Sequence, residues 1–335
     1  MNQFNYQSIY APYFKRFIAM KKDLGYVSLR IEWVIDELDN FFLDKKIKVT
    51  GITKQQIDDW RATRINDAPG TLYTKYSVLS QFCKFMCKTG YDCYIPRLPK
   101  APPKNGFTPH IFTSQEMTDI FNACDHLQLY DKHMSTVLFM VPAIIRLLYG
   151  TGLRVSEALS LKNKDMDFEK TCLYVRKSKN GEERIVPLSE TLMSVLREYL
   201  HYRDRMPVPH LKDDNRFFFV SSNGYSCRSG TVYTWFRKVL AMAGIQHLGD
   251  HKGPRVHDLR HSFAVHSLAK MDESGLDLYY SLPLLSTCLG HKSLQSTERY
   301  VRLTAERYHG ILKNEKSLCN YIFPQTSIII NNGNN

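Results

Sequence analysis

A segment rich in proline divides this chain and constrains its fold more than any other feature. Residues 95–110 read IPRLPKAPPKNGFTPH and hold five prolines among few apolar side chains. Because proline fixes φ and has no amide hydrogen to donate, neither a helix nor a paired strand continues through such a segment. The 335 residues are also enough for two domains of ordinary size. We therefore predict two domains joined by an extended linker at residues 96–110.

The first 95 residues have the apolar periodicity of helices. Apolar side chains recur at intervals of three and four residues in four stretches, and a Thr53-x-x-Gln56 capping box opens the third stretch. In the fourth stretch the apolar side chains share one stripe, which leaves three lysines to face outward: Lys75, Lys84 and Lys88. These patterns predict a small four-helix bundle with a basic surface.

The second half changes its period and then returns to helices. A Thr113-x-x-Glu116 box opens it. Residues 172–188, CLYVRKSKNGEERIVPL, alternate like two strands around an Asn-Gly turn, and residues 216–224, RFFFVSSNG, are typical of a third strand or its edge. Helical patterns resume at Ser229. We predict a mainly α fold with a small antiparallel β-sheet, and we leave the Asn-rich tail, residues 325–335, unassigned.

Charge and cysteine spacing limit the partners that this chain could have. The formal net charge is +12 and the isoelectric point is about 9.2, so the chain attracts polyanions, of which nucleic acid is the commonest in the cytosol. The eight cysteines form no C-x-x-C pair, which predicts reduced thiols rather than a metal site. We find no eighteen-residue apolar run and no signal peptide, so we expect a cytoplasmic protein without membrane contact.

Three short segments carry the residues that could perform chemistry. They are TGLRVSEAL at 151–159, VHDLRHSFAVH at 256–266 and LGHKSLQSTERY at 289–300. Taken singly, each has an ordinary explanation, such as a surface ion pair or an exposed helix face. Together with the lysines of the predicted hairpin they supply arginine, histidine, lysine and tyrosine: Arg154, Glu157, His257, Arg260, His291, Tyr300, Lys177 and Lys179.

This inventory suits the attack of a phenol oxygen on a phosphodiester. Negative charge builds on the non-bridging oxygens during the attack, and forked guanidiniums stabilise it. The alkoxide that leaves requires a proton donor, and a lysine ammonium can supply one. Such a reaction requires neither a metal ion nor another cofactor.

The three motifs, in this order and with a hairpin lysine between the first two, resemble the tyrosine recombinases (the phage-integrase and Xer-like family). The resemblance implies an N-terminal four-helix, SAM-like core-binding domain at residues 1–95 and an α+β catalytic domain at residues 111–324. It also implies double-stranded DNA sites as the substrate and a 3′-phosphotyrosyl intermediate. The expected assembly is a homo-tetramer in the synaptic complex and a monomer or dimer away from DNA.

The resemblance assigns a role to each motif residue. Tyr300 becomes the nucleophile, Arg154 and Arg260 the two phosphate-binding arginines, and His257 the acid-base residue. It further makes His291 a phosphate-pocket residue and Lys179 the general acid, with Lys177 as a competitor because the length of the turn is open. From its spacing alone, Glu157, one turn after Arg154, is expected to support that arginine. Under this interpretation we expect Lys75, Lys84 and Lys177 to contact DNA, whereas Tyr279, Tyr280 and Tyr308 lack the motif spacing.

Several functions remain open at this point. The leading prediction is a site-specific recombinase or integrase that serves the integration, excision or transposition of a mobile element. The alternatives are Xer-type resolution of chromosome or plasmid dimers, a type IB topoisomerase, and a DNA-binding accessory protein without catalysis. The last would be indicated by a missing arginine or tyrosine, and neither residue type is missing from the motifs.

Overall fold

The chain divides into two compact units, Met1–Phe107 and Thr108–Asn335, in this computed structural model. The structure describes residues 4–26, 29–101, 108–128, 136–176, 183–247, 249 and 253–307. The division between the units falls inside the segment that the prolines predict as a linker. Several predicted features lie outside the described residues, namely Lys177 and Lys179 of the hairpin, Tyr308 and the tail at 325–335.

The N-terminal unit contains four helices among its described residues. They are α1 (Ala11–Asp23), α2 (Leu29–Asp44), α3 (Lys54–Ala62) and α4 (Pro69–Lys88). The Thr53 side chain accepts from the Gln56 amide and the Gln56 side chain accepts from the Thr53 amide, so the predicted capping box opens α3. The core is aromatic, with Phe14, Phe82 and Trp60 almost wholly buried.

One lysine of α4 lies differently from the prediction. The side chain of Lys75 is only 12% exposed, and its ammonium lies 2.5 Å from Glu37 Oε2 and 2.9 Å from Asp67 Oδ2. The prediction that Lys75 faces outward is therefore wrong, because two carboxylates on neighbouring segments draw its long side chain inward. Lys84, two to three turns further along α4, is exposed as predicted.

The C-terminal unit is mainly helical. Its helices are α5 (Ser114–Asp125), α6 (Val141–Thr151), α7 (Val155–Ser160), α8 (Glu190–Arg203), α9 (Ser229–Met242), α10 (Val256–Glu273), α11 (Leu278–Leu289) and α12 (Gln295–Arg307). A single three-stranded antiparallel sheet is described, in the order β1 (Met166–Asp167), β2 (Cys172–Val175) and β3 (Arg184–Pro187). The predicted mainly α fold with a small antiparallel sheet is thus confirmed.

The sheet confirms the pairing of the two predicted hairpin strands but not the predicted third strand, and the predicted Asn180-Gly181 turn lies outside the described residues. Val175 pairs with Arg184, and the pairing continues to Cys172 opposite Pro187. The third strand is β1, which precedes the hairpin, whereas residues 216–224 make only isolated bridges, Lys162 with Phe217 and Val220 with Ser226. The side chains of Phe218 and Phe219 are buried, so this apolar run packs into the core without extending the sheet.

Helix α10 lies at the centre of the C-terminal unit and positions the motif residues. It packs against α6, α11 and α12. The ring of Tyr300 on α12 belongs to an apolar cluster with Val265 and Leu268 of α10. The turn after α6 fits tightly against this helix, because Gly152 has φ +63° and a Cβ there would lie 2.4 Å from the Phe263 ring. No described helix is both long and apolar enough to cross a membrane.

Candidate functional site

The first guanidinium of the site lies at the start of a short helix. Arg154 is the N-cap of α7, directly after the left-handed turn at Gly152. Its amide donates to Glu157 Oε2 at 3.0 Å and its Nη1 donates to Glu157 Oε1 at 2.8 Å. A carboxylate in the first turn of a helix both caps the helix and holds the side chain that precedes it. About a fifth of the Arg154 side chain remains exposed, 22%, which leaves it accessible to a ligand.

The second guanidinium is buried on α10. Arg260 is 2% exposed and donates from Nη1 to the Gly152 carbonyl and from Nη2 to the Leu289 carbonyl, both at 2.7 Å. Burial, together with the positive charge of Arg154, lowers the pKa of Arg260 to about 10, so it stays charged at neutral pH. Because its two acceptors are uncharged carbonyls, the positive charge of Arg260 is not neutralised by these bonds.

A third guanidinium, Arg184, joins the site from β3. Its Nη2 donates to Glu157 Oε2 at 2.8 Å and its Nε donates to the Cys288 carbonyl at 2.8 Å. Glu157 is thus shared by two arginines, and its side chain is only 2% exposed. Burial alone would raise the pKa of Glu157, but the hydrogen bonds from Arg184 and Arg154 outweigh it and hold the pKa below its usual value.

The tyrosine of the third motif is held inside the unit. Tyr300 is 2% exposed, and its hydroxyl lies 2.9 Å from Nδ1 of His261. Its ring stacks on that of His291 at a centroid distance of 6.1 Å and an interplanar angle of 12°. Burial raises the pKa of Tyr300, and the positive charge of Arg260 acts in the opposite direction. The phenol is therefore protonated at neutral pH, and an attack on phosphorus requires a group that accepts its proton.

Three histidines surround the tyrosine and the arginines. Burial and nearby positive charges lower the pKa of His261 to about 3 and that of His291 to about 4. Desolvation and the positive charges of Arg260 and Arg154 lower the pKa of His257 to about 4, although the residue keeps an exposed surface. All three are neutral at pH 7, so each can accept a proton or a hydrogen bond there.

The structure brings most of the sequence-predicted site residues together. Arg154 and Glu157 on α7, His257 and Arg260 on α10, Tyr300 on α12 and His291 in the turn before it interact electrostatically with one another. Three guanidiniums and one carboxylate leave an excess of positive charge around a protonated phenol. Lys75 and Lys84 belong to the other unit, and Tyr280 is 79% exposed on α11. An anion with a reactive phosphorus suits this arrangement.

Sequence reasoning missed two residues of the site. His261 follows Arg260 directly, and Arg184 begins the second strand of the hairpin in ERIVPL. A signal was present for each, since His261 adjoins a motif arginine on a mostly buried helix and Arg184 is a cation at the inner end of the hairpin. Neither signal predicts which group the side chain contacts.

Metal-binding arrangements are not found in the part of the chain that the structure describes. No group of three or more histidine, cysteine, aspartate or glutamate side chains there is placed to hold a metal ion. The seven cysteines within the described ranges are free thiols, most of them buried.

Comparison with known proteins identifies the family of this chain. Residues 110–307 match the Phage integrase family. Tyrosine recombinase XerA of Pyrococcus furiosus is 32% identical over 230 residues, which cover 68% of this chain and 67% of that protein. The chain therefore belongs to the Phage integrase family, the tyrosine recombinases, whose members cleave and rejoin DNA through transesterification at a tyrosine.

Two solved structures share the fold at lower identity. XerH site-specific recombinase bound to a palindromic difH substrate, in a post-cleavage complex, has a TM-score of 0.60 at 21% identity, covering 90% of this chain and 80% of that one. A lambda integrase tetramer bound to a Holliday junction has a TM-score of 0.55 at 18% identity, covering 84% of this chain and 77% of that one. Both likenesses concern the fold, which these recombinases and this chain have in common.

Proposed function

We propose that this chain is a site-specific DNA recombinase that uses Tyr300 as its nucleophile and forms a 3′-phosphotyrosyl intermediate. The observation that carries the proposal is the placement of a buried, protonated phenol beside guanidiniums whose charge exceeds that of their single carboxylate. A phosphodiester would satisfy this excess charge. Arg154 and Arg260 bind its non-bridging oxygens, and Glu157 keeps Arg154 in place.

The proposed reaction is an exchange of one phosphodiester for another. The Tyr300 oxygen forms a bond to phosphorus while the bond from phosphorus to the 5′ oxygen of the neighbouring nucleotide breaks. A neutral histidine, with His257 as the assigned acid-base residue, takes the phenol proton, and His291 contacts the phosphate. The guanidiniums stabilise the charge that develops on the non-bridging oxygens. Because the number of phosphoester bonds is unchanged, the reverse attack by a 5′ hydroxyl rejoins the strand.

The leaving 5′ oxygen requires a proton, and a hairpin lysine is the proposed donor. Lys179 is the first candidate and Lys177 the second, and both lie between β2 and β3, outside the described residues. Arg184 at the start of β3 is bonded to Glu157, which supports a hairpin whose base adjoins the site. Lys177, Lys84 and Lys75 are the proposed DNA contacts, although the ion pairs of Lys75 argue for a smaller contribution from that residue.

The proposed substrate is duplex DNA carrying a recombination site. The solved relatives bound to difH and to a Holliday junction support this substrate and a homo-tetrameric synapse, with a monomer or dimer away from DNA. In this proposal residues 1–95 bind DNA, residues 96–110 link the two domains, and residues 111–324 catalyse strand cleavage and rejoining. We place the protein in the cytoplasm and its role in integration, excision or transposition of a mobile element. Xer-type dimer resolution is the second candidate, because XerA is among its similar proteins.

A nicked suicide substrate tests the proposal. Loss of the short 5′-hydroxyl strand prevents rejoining, so the protein should become trapped on the 3′ end and migrate as a covalent adduct in a denaturing gel. Tyr300→Phe retains the ring that packs in the apolar cluster but removes the attacking oxygen, so it should bind DNA and trap none.

Tyr280→Phe is the matched control, because Tyr280 is an exposed tyrosine of the same unit. It should trap DNA like the unaltered protein. EDTA should leave trapping unchanged, since guanidiniums carry the phosphate charge in this proposal. Trapping that persists in Tyr300→Phe, or an adduct mapped to another tyrosine, would disprove the assignment of the nucleophile.

A further inference from the structure

Arg184 connects three segments that carry proposed catalytic residues. It begins β3, the strand that follows the lysine-bearing turn. Its guanidinium binds both carboxylate oxygens of Glu157 on α7, with Nη2 at 2.8 Å and Nη1 at 3.3 Å. Its Nε binds the Cys288 carbonyl at 2.8 Å, three residues before His291. One side chain therefore ties the hairpin to α7 and to the last turn of α11.

Packing as well as hydrogen bonding fixes this guanidinium. Gly290 has φ +65°, and a Cβ at that position would lie 2.8 Å from Arg184 Nη1 and 3.0 Å from its Cζ. The backbone that leads into His291 thus lies directly against the Arg184 side chain, which is 6% exposed. A planar guanidinium fits this gap and still reaches two acceptors, whereas a lysine ammonium is a single point of charge.

The sharing of Glu157 affects the charge that Arg154 can offer to a ligand. Glu157 accepts from Arg154 at 2.8 Å on the same Oε1 atom that Arg184 Nη1 approaches. With Arg184 present, one carboxylate is divided between two guanidiniums. Without Arg184, the buried carboxylate would pair with Arg154 alone, which would balance the charge of Arg154 and hold its guanidinium more tightly against Glu157.

We propose that Arg184 is a positioning residue for DNA cleavage: by sharing Glu157 and holding the Cys288 carbonyl, it leaves the charge of Arg154 only partly balanced and keeps that guanidinium directed at the scissile phosphate. The inference rests on the proposed function, because it assigns Arg184 to the phosphate chemistry of the same site. The competing explanation is an ordinary buried ion pair that only stabilises the fold. The two explanations differ in whether the effect of Arg184 depends on the charge of the phosphate.

The test compares single-turnover trapping by the full chain on two suicide substrates. One has the natural phosphodiester at the cleavage position, and the other has a methylphosphonate there, in which a methyl group replaces a charged non-bridging oxygen. Arg184→Met removes the guanidinium at similar length, Arg184→Lys keeps one positive charge, and Arg154→Ala serves as the reference for a lost phosphate contact. DNA affinity and thermal unfolding are measured for every variant.

Arg146→Met is the matched control. Arg146 also binds a carboxylate, Asp125 at 2.7 Å, and a backbone carbonyl, that of Pro142. Its partners lie on α5 and α6 and include no proposed site residue. We expect it to trap DNA at the unaltered rate even where its unfolding temperature falls.

On the phosphodiester, Arg184→Met should trap about a hundredfold more slowly with DNA affinity changed by less than about threefold, the loss typical of one misplaced charge-stabilising donor. Arg184→Lys should trap about tenfold more slowly, because the lysine keeps the positive charge but cannot make the forked contacts of the guanidinium. On the methylphosphonate, the trapping rates of Arg184→Met and Arg154→Ala should both lie within about fivefold of the rate of the unaltered protein, since less charge then requires stabilisation.

Two results would overturn the inference. Trapping of the phosphodiester by Arg184→Met at the unaltered rate would show that the residue has no role in cleavage. A deficit of the same size on both substrates would show that Arg184 only stabilises the fold. Absence of an adduct with the unaltered protein would count against the proposed function itself, and that result is separate because it precedes any substitution.

Discussion

The two units each contain a cluster of partly buried charges, and the clusters differ in their balance. The N-terminal ion-pair cluster consists of Arg64, Lys75, Glu37 and Asp67, so two cations meet two carboxylates. The arginine cluster of the C-terminal unit consists of Arg154, Arg184, Arg260 and Glu157, so three cations are accompanied by one carboxylate, which binds two of them. Equal numbers of opposite charges balance each other, whereas an excess of cations is balanced only when an anion binds.

This difference separates a structural cluster from a candidate binding site better than the presence of lysine or arginine does. Lys75 has the sequence context of a DNA contact, on a basic face of an amphipathic helix, yet its charge is matched inside the protein. Arg260 has the context of a core residue, yet its hydrogen bonds go to uncharged carbonyls and its charge stays available. Net charge within a cluster is therefore the property to test.

The largest effect should come from removing cations of the arginine cluster. Arg154→Ala and Arg260→Ala should each slow covalent trapping by two or more powers of ten, because one well-placed donor stabilises a transition state by about 3 to 4 kcal/mol. Single-turnover trapping on the suicide substrate measures the rate, and a binding assay checks that DNA is still held. A cleavage rate within a factor of about three of the unaltered protein would show that the excess charge has another purpose.

The next effect concerns the hairpin lysine, whose charge is also proposed to act on the DNA. Lys179→Ala should cleave about a hundredfold more slowly while it binds normally, since a general acid contributes about that much. A substrate with a 5′-bridging sulfur has a leaving group that hardly requires protonation and should restore the rate. Rescue of Lys177→Ala in place of Lys179→Ala would move the assignment to Lys177.

A smaller effect should come from the N-terminal ion-pair cluster, and it should appear in stability rather than in cleavage. Lys75→Met leaves Glu37 and Asp67 without their shared cation and should lower the free energy of unfolding by about 2 kcal/mol. Lys84→Met, on the same helix but exposed, should leave that free energy unchanged and reduce the salt dependence of DNA binding. Chemical denaturation and a salt titration measure the two quantities. Equal free energies of unfolding for Lys75→Met and Lys84→Met would contradict a structural role for Lys75.

The smallest effect is a pH dependence of stability that is confined to the C-terminal unit. The pKa of His261 is about 3 in the folded protein and about 6.5 in the unfolded chain, so below pH 6.5 the unfolded chain binds protons that the folded site does not. Stability should be fully present above pH 6.5 and fall as the pH approaches the folded pKa values of His261 and His291. The loss should reach about 1 kcal/mol for His261 between pH 6.5 and 5.5.

Hydrogen exchange can compare α10 with α4 across this range. Protection of α10 should decrease more than protection of α4, and His261→Gln should reduce the difference, because glutamine has no proton to gain. An equal decrease in both helices would contradict the link to the histidines of the site.

The local features of the fold follow from the sequence, and their physical causes are short-range. The capping boxes at Thr53 and Thr113 form as predicted because each depends only on residues three apart. Strands β2 and β3 also pair as predicted, since their alternating residues lie in one segment, whereas the predicted Asn180-Gly181 turn lies outside the described residues. Residues 216–224 have the composition of a strand but bury their aromatics without a partner strand, and composition does not specify a partner.

The sequence by itself determined the class of this protein and the chemical inventory of its site. The motif residues identify the family, because phosphate chemistry at a tyrosine requires guanidiniums and proton-transferring groups whatever their exact neighbours are. Tertiary structure alone decided which charges remain unmatched. Lys75 meets Glu37 across 38 positions, Arg184 meets the Cys288 carbonyl across 104, and His261 meets Tyr300 across 39. Such contacts arise when helices and strands pack, so neither periodicity nor spacing contains them, and they set the charge balance of the site and the hydrogen-bond partner of Tyr300.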